Sequence, residues 1–266
     1  MDGTEWLDRW RDELGASAAL WAGGGRHAIE ADRWLAFSRA KSVDYNLVVC
    51  HGPGPDVVRR SLDDVGAEGV PVVIMLAGRA LASAQPLVDA GWVCIGAQPL
   101  MLLTDPTGSA DSVSADSVST DAVSTDTAVD RITGPADLAE ARLVVAEVFD
   151  ISPAMAAVAV PDRVTDGADL SAWVLREQGR MAAVTAAVRR GEGLAIWSMA
   201  TPPDLRRRGY GRRLLRSVLA QAETEGVDHS LLYSSPEAEP LYRSLGYRVL
   251  ERWQLWSRPR WVLGRT

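Results

Sequence analysis

The run from Met199 to Arg216, MATPPDLRRRGYGRRLLR, holds the densest set of side chains with a chemical use. Within it Arg206 to Gly211 has the form R-x-x-G-x-G and opens at once into a helical stripe of Leu214, Leu215, Val218, Leu219 and Ala222. Glycines let backbone N–H groups approach a ligand closely, and the first amides of a helix lack partners and form its positive dipole end. Such a loop binds anions, and a pyrophosphate suits its size. Arg206, Arg207, Arg208 and Arg212 would add charge-assisted contacts. Further along, Pro240-Leu241-Tyr242-Arg243-Ser244-Leu245-Gly246-Tyr247 offers a phenol, Tyr242, able to give up a proton.

These residues need a frame to hold them. Leu194 to Thr201 reads as an apolar strand that Pro202 and Pro203 terminate, since neither can donate a ladder hydrogen bond. The helix after the loop ends near Gly226, His229 to Tyr233 is the next strand, and Tyr247 to Trp256 begins a last pair of strands. Upstream come a strand-like Val129 to Thr133, a helix from Pro135 to about Phe149 and a short helix from Pro153 to about Val160. A meander follows, Ala172 to Arg176, Met181 to Arg189 and Leu194 to Thr201, with turns at Gln178-Gly179-Arg180 and Gly191-Glu192-Gly193.

Strand, R-x-x-G-x-G, helix, strand and then L-Y-x-x-x-G-Y resembles the acyl-CoA-binding core of the GNAT superfamily of N-acyltransferases, over about half the chain from Arg131 onward. The resemblance implies an α/β (α+β) fold, a mixed central sheet flanked by helices. It implies that the amides of Arg206, Arg207, Arg208, Gly209, Tyr210, Gly211 and Arg212 hold the CoA pyrophosphate. The splayed strand segment Met199, Ala200 and Thr201 would pair with the pantetheine arm and supply the oxyanion amide, and Tyr242 would protonate the leaving thiolate. Ser234 or Ser235 stands where the family often has an Asn, and Ser235 is carried over as a pantetheine contact. The implied reaction is direct attack of an amine on the acetyl-CoA thioester in a ternary complex. One departure stands out: Leu194 to Thr201 carries no acid to deprotonate the amine, so no base is assigned; Glu177 or Glu192 could act through water, but glutamates in turns and strands are usually just solvated, and neither is assigned.

The first half reads as alternating helices and strands: a helix over residues 5 to 22 with Trp6, Trp10, Leu14 and Ala18 on one stripe, strands at Arg33 to Ser38 and Asn46 to Cys50, and a helix from Pro55 to Glu68. An apolar run Pro71 to Leu76, a helix Arg79 to Ala90 and an apolar run Trp92 to Leu103 complete it. Pro86 to Trp92 resembles Pro240 to Tyr247 with one residue fewer, which places Leu87 where Tyr242 stands, and His51 to Gly54 lacks the arginines of the later loop. Residues 1–104 are therefore expected to be a reduced, non-catalytic GNAT-like lobe, 105–130 a low-complexity linker, and 131–266 the catalytic domain.

Charge and composition narrow the partners. Residues 1–130 carry 9 basic against 19 acidic side chains, and residues 131–266 carry 19 against 16, which speaks against nucleic acid as the main partner. No run approaches a membrane span and the first residues form no leader, so a soluble, cytoplasmic protein is expected. His27, His51 and His229 are scattered and suggest no metal site, and Cys50 and Cys94 sit in apolar runs that favour buried free thiols. A small-molecule or peptide amine remains the open acceptor; the resemblance implies that the region from Pro153 to Leu170 shapes its pocket, with the cleft between lobes an alternative location where Trp173 and Trp197 could line either a pocket or the core. Oligomeric state is not indicated. Two other functions compete: a non-catalytic acyl-CoA-binding or sensing module, which the missing acid favours and Tyr242 opposes, and an Arg-rich nucleic-acid binder, which lacks aromatic platforms beside its arginines.

Overall fold

A computed structural model describes residues 3–22, 25–104, 128–167 and 169–263. The low-complexity segment expected as a linker lies outside the described residues except for its last positions. By contact the chain divides into two units: residues 1–101 with 233–239 and 249–266, and residues 102–232 with 240–248. By this clustering most of the last strand groups with the first unit.

The first unit contains α1 (Gly3–Ala22), β1 (Arg26–Glu30), β2 (Arg33–Phe37), β3 (Asn46–Cys50), α2 (Asp56–Glu68), β4 (Val73–Leu76), α3 (Gln85–Asp89), most of β5 (Val93–Leu103) and most of β11 (Arg248–Ser257), in the strand order β1-β2-β3-β4-β11-β5. β3 and β4 run parallel around α2, as a strand-helix-strand crossover requires. β11 pairs antiparallel with β4, Gln254 opposite Leu76, and Ser257 Oγ donates to Val72 O at 2.9 Å. Trp10, Leu14 and Ala18 of the expected α1 stripe are buried, while Trp6 is 42% exposed. One strand is absent from the sequence expectations, and three of those expectations are corrected. β1 has no counterpart among them, since its residues RHAIE are only half-buried and lack an apolar run. The helix expected at Arg79 to Ala90 is a 3-10 turn, Gly78–Ser83, followed by α3, because Pro86 starts a new helix. Cys50 is buried as expected, and burial pushes its thiol up to about 11, but Cys94 is exposed on the outer end of β5. Finally, no strand follows β11 among the described residues; a short helix, α8 (Pro259–Leu263), does.

A buried charged cluster ties this unit together. Arg11, 1% exposed, donates through Nε to Glu251 Oε1 at 2.6 Å and through Nη1 to Asp8 Oδ1 at 2.5 Å, while Trp253 Nε1 and Gly78 N also donate to Glu251. His51 Nδ1 lies 3.1 Å from Asp8 Oδ1 and Nε2 lies 3.9 Å from Asp12 Oδ1. Burial lowers the pKa of His51 against the pull of Asp8, with Arg11 adding to the lowering and Asp32 and Glu251 opposing it. Burial, then Asp8, raises that of Asp12. A histidine held neutral takes up its proton only on unfolding, so stability falls as pH drops below the unfolded value near 6.5. Asp12 has the opposite sign, and its contribution is gained only as pH falls through its raised folded value toward the unfolded carboxyl range. We therefore expect Tm to fall between about pH 7 and about pH 5.5, and a His51→Asn variant to flatten that decline. Melting curves at several pH values check this, and an unchanged slope in the variant would contradict it.

The second unit contains β6 (Val129–Arg131), α4 (Pro135–Phe149), α5 (Pro153–Ala159), β7 (Leu170–Glu177), β8 (Arg180–Arg190), β9 (Gly193–Ala200), α6 (Tyr210–Thr224), β10 (His229–Tyr233, its last residue in the first unit) and α7 (Glu239–Arg243, its first residue likewise), with strand order β10-β9-β8-β7-β6. β6 to β9 form antiparallel pairs and β9 with β10 a parallel one around α6. Leu214, Leu215, Val218, Leu219 and Ala222 are all buried, so the apolar face of α6 packs as its spacing requires.

The same order, antiparallel strands, a helix crossover to a parallel strand, and a short helix ending in glycine plus an aromatic, occurs in both units. The helix ends match in detail: Trp92 N donates to Leu87 O at 2.9 Å after Gly91 at φ +75°, and Tyr247 N donates to Tyr242 O at 3.1 Å after Gly246 at φ +91°. The two parallel pairs differ. β3 and β4 stay bonded through Cys50 opposite Leu76, with Ala77 N donating to Cys50 O at 2.8 Å, whereas β9 and β10 pair only from Gly193 to Ala195.

Candidate active site

β9 pairs with β10 only as far as Ala195, so its later residues carry no strand pairing on that edge among the described residues. On its other side β9 also breaks register with β8: Val184 pairs with Ala200, and Ala186 with Trp197. Ser198 takes φ +48°, a value that costs a side-chain-bearing residue energy and marks a bulge rather than a regular strand. Met199 lies in this bulge, Ala200 is buried at its end and Thr201 follows half-buried.

The loop after the strand is exposed from Arg206 to Gly209. Arg207 at φ +62° and Gly209 at φ +81° put two left-handed residues just before α6, an arrangement that gathers successive N–H groups into an anion-binding concavity. Gly209 caps the helix with no side-chain hydrogen bond, and Arg213 N is the first helical amide bonded back to it, at 3.0 Å. The amides of Tyr210, Gly211 and Arg212 therefore have no intrahelical acceptor. The two glycines do different work. A Cβ at Gly209 would meet nothing within 4 Å, so the demand there is its positive φ; one at Gly211 would lie 3.0 Å from Met199 Cε and 3.4 Å from Thr201 Oγ1, so Gly211 lets the helix pack on the bulged strand.

The arginines also divide. Arg206 Nε donates to Thr201 O at 3.1 Å and Arg212 Nη2 to Ser244 Oγ at 2.9 Å, so both brace the loop. Arg207 and Arg208 are exposed beside the free amides. Tyr210 is buried with the Arg213 guanidinium 5.0 Å from its ring centroid. Arg180 holds the Asp204 carboxyl below its usual range by hydrogen bonding just ahead of the loop.

Tyr242 is buried, its ring edge-on to Tyr247 at 5.8 Å, and its hydroxyl donates to Met199 Sδ at 3.6 Å. The structure thus brings Tyr242, Met199, Thr201 and Gly211 together, although Tyr242 and Gly211 stand far apart in sequence. Burial pushes the Tyr242 pKa up. Ser235 lies in the stretch assigned to the first unit, where its Oγ accepts from Ala238 N at 3.3 Å. β9 carries no carboxylate, and Glu177 lies at the β7–β8 hairpin 3.9 Å from Arg213, with Glu192 in the turn at the far end of β9. Trp173 packs under Arg131, 5.9 Å from its guanidinium, and Trp197 is half-buried on β9.

A small cavity of about 60 Å³ opens elsewhere in this unit, between Trp173, Leu194 and Gln221. Gln221 is about 18 Å along α6 from Gly209, so this cavity is separate from the loop. Sequence reasoning missed the bulge, whose only trace is the lone hydroxyl of Thr185 in MAAVTAAV.

Residues 168–249 match the family model described as an acetyltransferase (GNAT) domain. That segment, from the start of β7 through the loop, α6, β10 and α7, is an acyltransferase domain of the GNAT type, a class whose fold serves acyl-CoA-dependent acetyl transfer. Among solved structures the chain is similar to a GCN5-related N-acetyltransferase from Kribbella flavida, at 17% identity and TM-score 0.64 over 94% of this chain and 95% of that one. It is also similar to a functionally unknown conserved protein from Staphylococcus epidermidis (9% identity, TM-score 0.62, 88% of this chain and 94% of that one). A third is a putative acetyltransferase of the GNAT family from Novosphingobium aromaticivorans (17%, 0.52, 92% and 98%). At these identities the likeness is one of fold. No curated protein matches the sequence. No helix among the described residues is long and apolar enough to cross a membrane.

Proposed function

We propose that the second unit transfers an acetyl group from acetyl-CoA to a primary amine by direct attack in a ternary complex. The observation that carries this reading is the meeting of three features: free amides at the start of α6, the edge of β9 left unpaired after Ala195, and the Tyr242 hydroxyl turned toward the bulge at Met199. In this reading the amides of Arg207 to Arg212 hold the pyrophosphate, with Arg207 and Arg208 adding charge; the Arg206 amide, expected among them, is instead bonded to Pro203 O at 3.4 Å. The open edge from Met199 to Thr201 takes the pantetheine arm, and an amide there receives the oxyanion.

The raised pKa refines the role of Tyr242. A phenol less acidic than usual keeps its proton against a thiolate of pKa about 8.5, so it steadies the departing sulfur as a hydrogen-bond donor before any proton moves. The amine's proton leaves through solvent, since β9 offers no carboxylate. The acceptor is a small-molecule or peptide amine seated near α5 and the segment up to Leu170.

We read residues 1–104 as a non-catalytic GNAT-like lobe: its parallel pair is closed where β9 and β10 open, and Leu87 stands in place of Tyr242. The absent carboxylate on β9 favours a second reading, an acyl-CoA sensor without turnover. A thiol-release assay with acetyl-CoA and a panel of amines separates the two. Amine-dependent release supports the transferase, and saturable CoA binding with no release against any amine supports the sensor.

A further inference from the structure

The bulge in β9 has to hold an unfavourable backbone conformation on a strand that is open on one side. Thr185 alone faces Ser198 and Met199, because the pairing jumps from Val184–Ala200 to Ala186–Trp197. An extra residue of this kind leaves ladder groups unpaired and lets the strand bend. Two hydroxyls take up what the ladder loses. Thr185, fully buried and the one polar side chain between Met181 and Val188, donates through Oγ1 to Trp197 O at 3.1 Å. Ser198, at φ +48°, donates through Oγ to Ala159 O at 3.2 Å. Ala159 is the last residue of α5, so the acceptor oxygen is one that the helix itself leaves unpaired.

Valine would fill the volume of Thr185 in an otherwise apolar stretch, and a buried hydroxyl costs stability unless it is bonded. Its presence at the register break points to the bulge. Ser198 extends the link to the far side, from the bulged strand to α5. We infer that Thr185 and Ser198 are positioning residues for the thioester: their hydroxyls hold the β9 bulge in the form that presents the amides of Met199 to Thr201 to the acyl carbonyl. Through Ser198 the same bulge is fastened to the helix that borders the acceptor. The seat of the acyl group and the seat of the amine thus share one backbone segment. This inference rests on the proposed use of acetyl-CoA and goes beyond it by naming what sets the geometry.

The test uses the full chain labelled with [15N]methionine, which has six methionines, the Met199 amide being assigned by its loss in Met199→Leu. The labelled protein is titrated with acetyl-CoA and with CoA, of which only the first has a carbonyl. In the parent the Met199 amide shifts further with acetyl-CoA than with CoA. In Thr185→Val that extra shift disappears while CoA binding is kept. Thiol release from acetyl-CoA then falls about ten- to a hundredfold in kcat at unchanged KM, and Thr185→Ser restores both. A parent-like extra shift in Thr185→Val overturns the inference and leaves the cofactor reading standing. Loss of CoA binding together with a lowered Tm in Thr185→Val also overturns it, by making the hydroxyl a requirement of the fold. Failure of the parent to bind either nucleotide overturns the cofactor reading itself.

Discussion

Tyr242→Phe is expected to lower the acetyl-transfer rate by about 10²- to 10⁴-fold, the usual worth of a positioned acid or donor, with acetyl-CoA affinity unchanged. The ring keeps its contact with Tyr247, so only the hydroxyl that reaches Met199 Sδ at 3.6 Å is removed. Because burial raises the phenol pKa, it stays protonated across the working range, and kcat should show no loss from Tyr242 below about pH 10. Stopped-flow or steady-state thiol release over pH 6 to 10 measures both. A variant with parent-like kcat would remove Tyr242 from the reaction, and a variant with lost affinity would make it a binding residue.

Arg11→Leu should destabilise the chain by about 3–5 kcal/mol, the cost of leaving a buried charge without its partner. The charge left behind is Glu251, only 10% exposed in its side chain, which retains Trp253 Nε1 and Gly78 N as donors but loses both guanidinium bonds. Glu251 lies on β11, so the ion pair fastens the C-terminal strand into the first unit. Denaturant unfolding of Arg11→Leu beside a double variant Arg11→Leu, Glu251→Gln measures the effect. The double variant should recover part of the loss, since no unpaired carboxylate then remains, and full independence of the two changes would contradict the pairing.

Much of the second unit is legible from sequence because its elements carry strong local signals. The α6 stripe, the paired prolines after β9 and the glycine-aromatic end of α7 each have a mechanism that context seldom reverses, and α4 begins at Pro135 and ends at Phe149 as its spacing predicts. The loop's role in holding an anion follows from glycine spacing, but the separate tasks of Gly209 and Gly211 depend on what each Cβ would meet. Long-range facts leave little trace in composition. Nothing in Tyr247 to Trp256 says that this strand pairs with β4, and nothing in the apolar run from Leu194 to Thr201 shows that β9 bulges at Ser198. Cys94 misleads for a related reason: an apolar run implies burial only where something covers it, and the outer end of β5 is exposed.

The most direct measurement is a calorimetric titration of CoA and acetyl-CoA into the full chain and into Gly209→Asp. Asp tolerates a left-handed backbone better than most residues, and a Cβ at 209 meets no neighbour, so the fold should stand while a carboxylate faces the pyrophosphate amides. Saturable binding of both nucleotides by the parent is expected, weakened at least about a hundredfold in the variant by charge repulsion at close range, with Gly209→Asn close to the parent. Undiminished binding in Gly209→Asp, or no binding by the parent, would contradict the placement of the acyl donor at the start of α6.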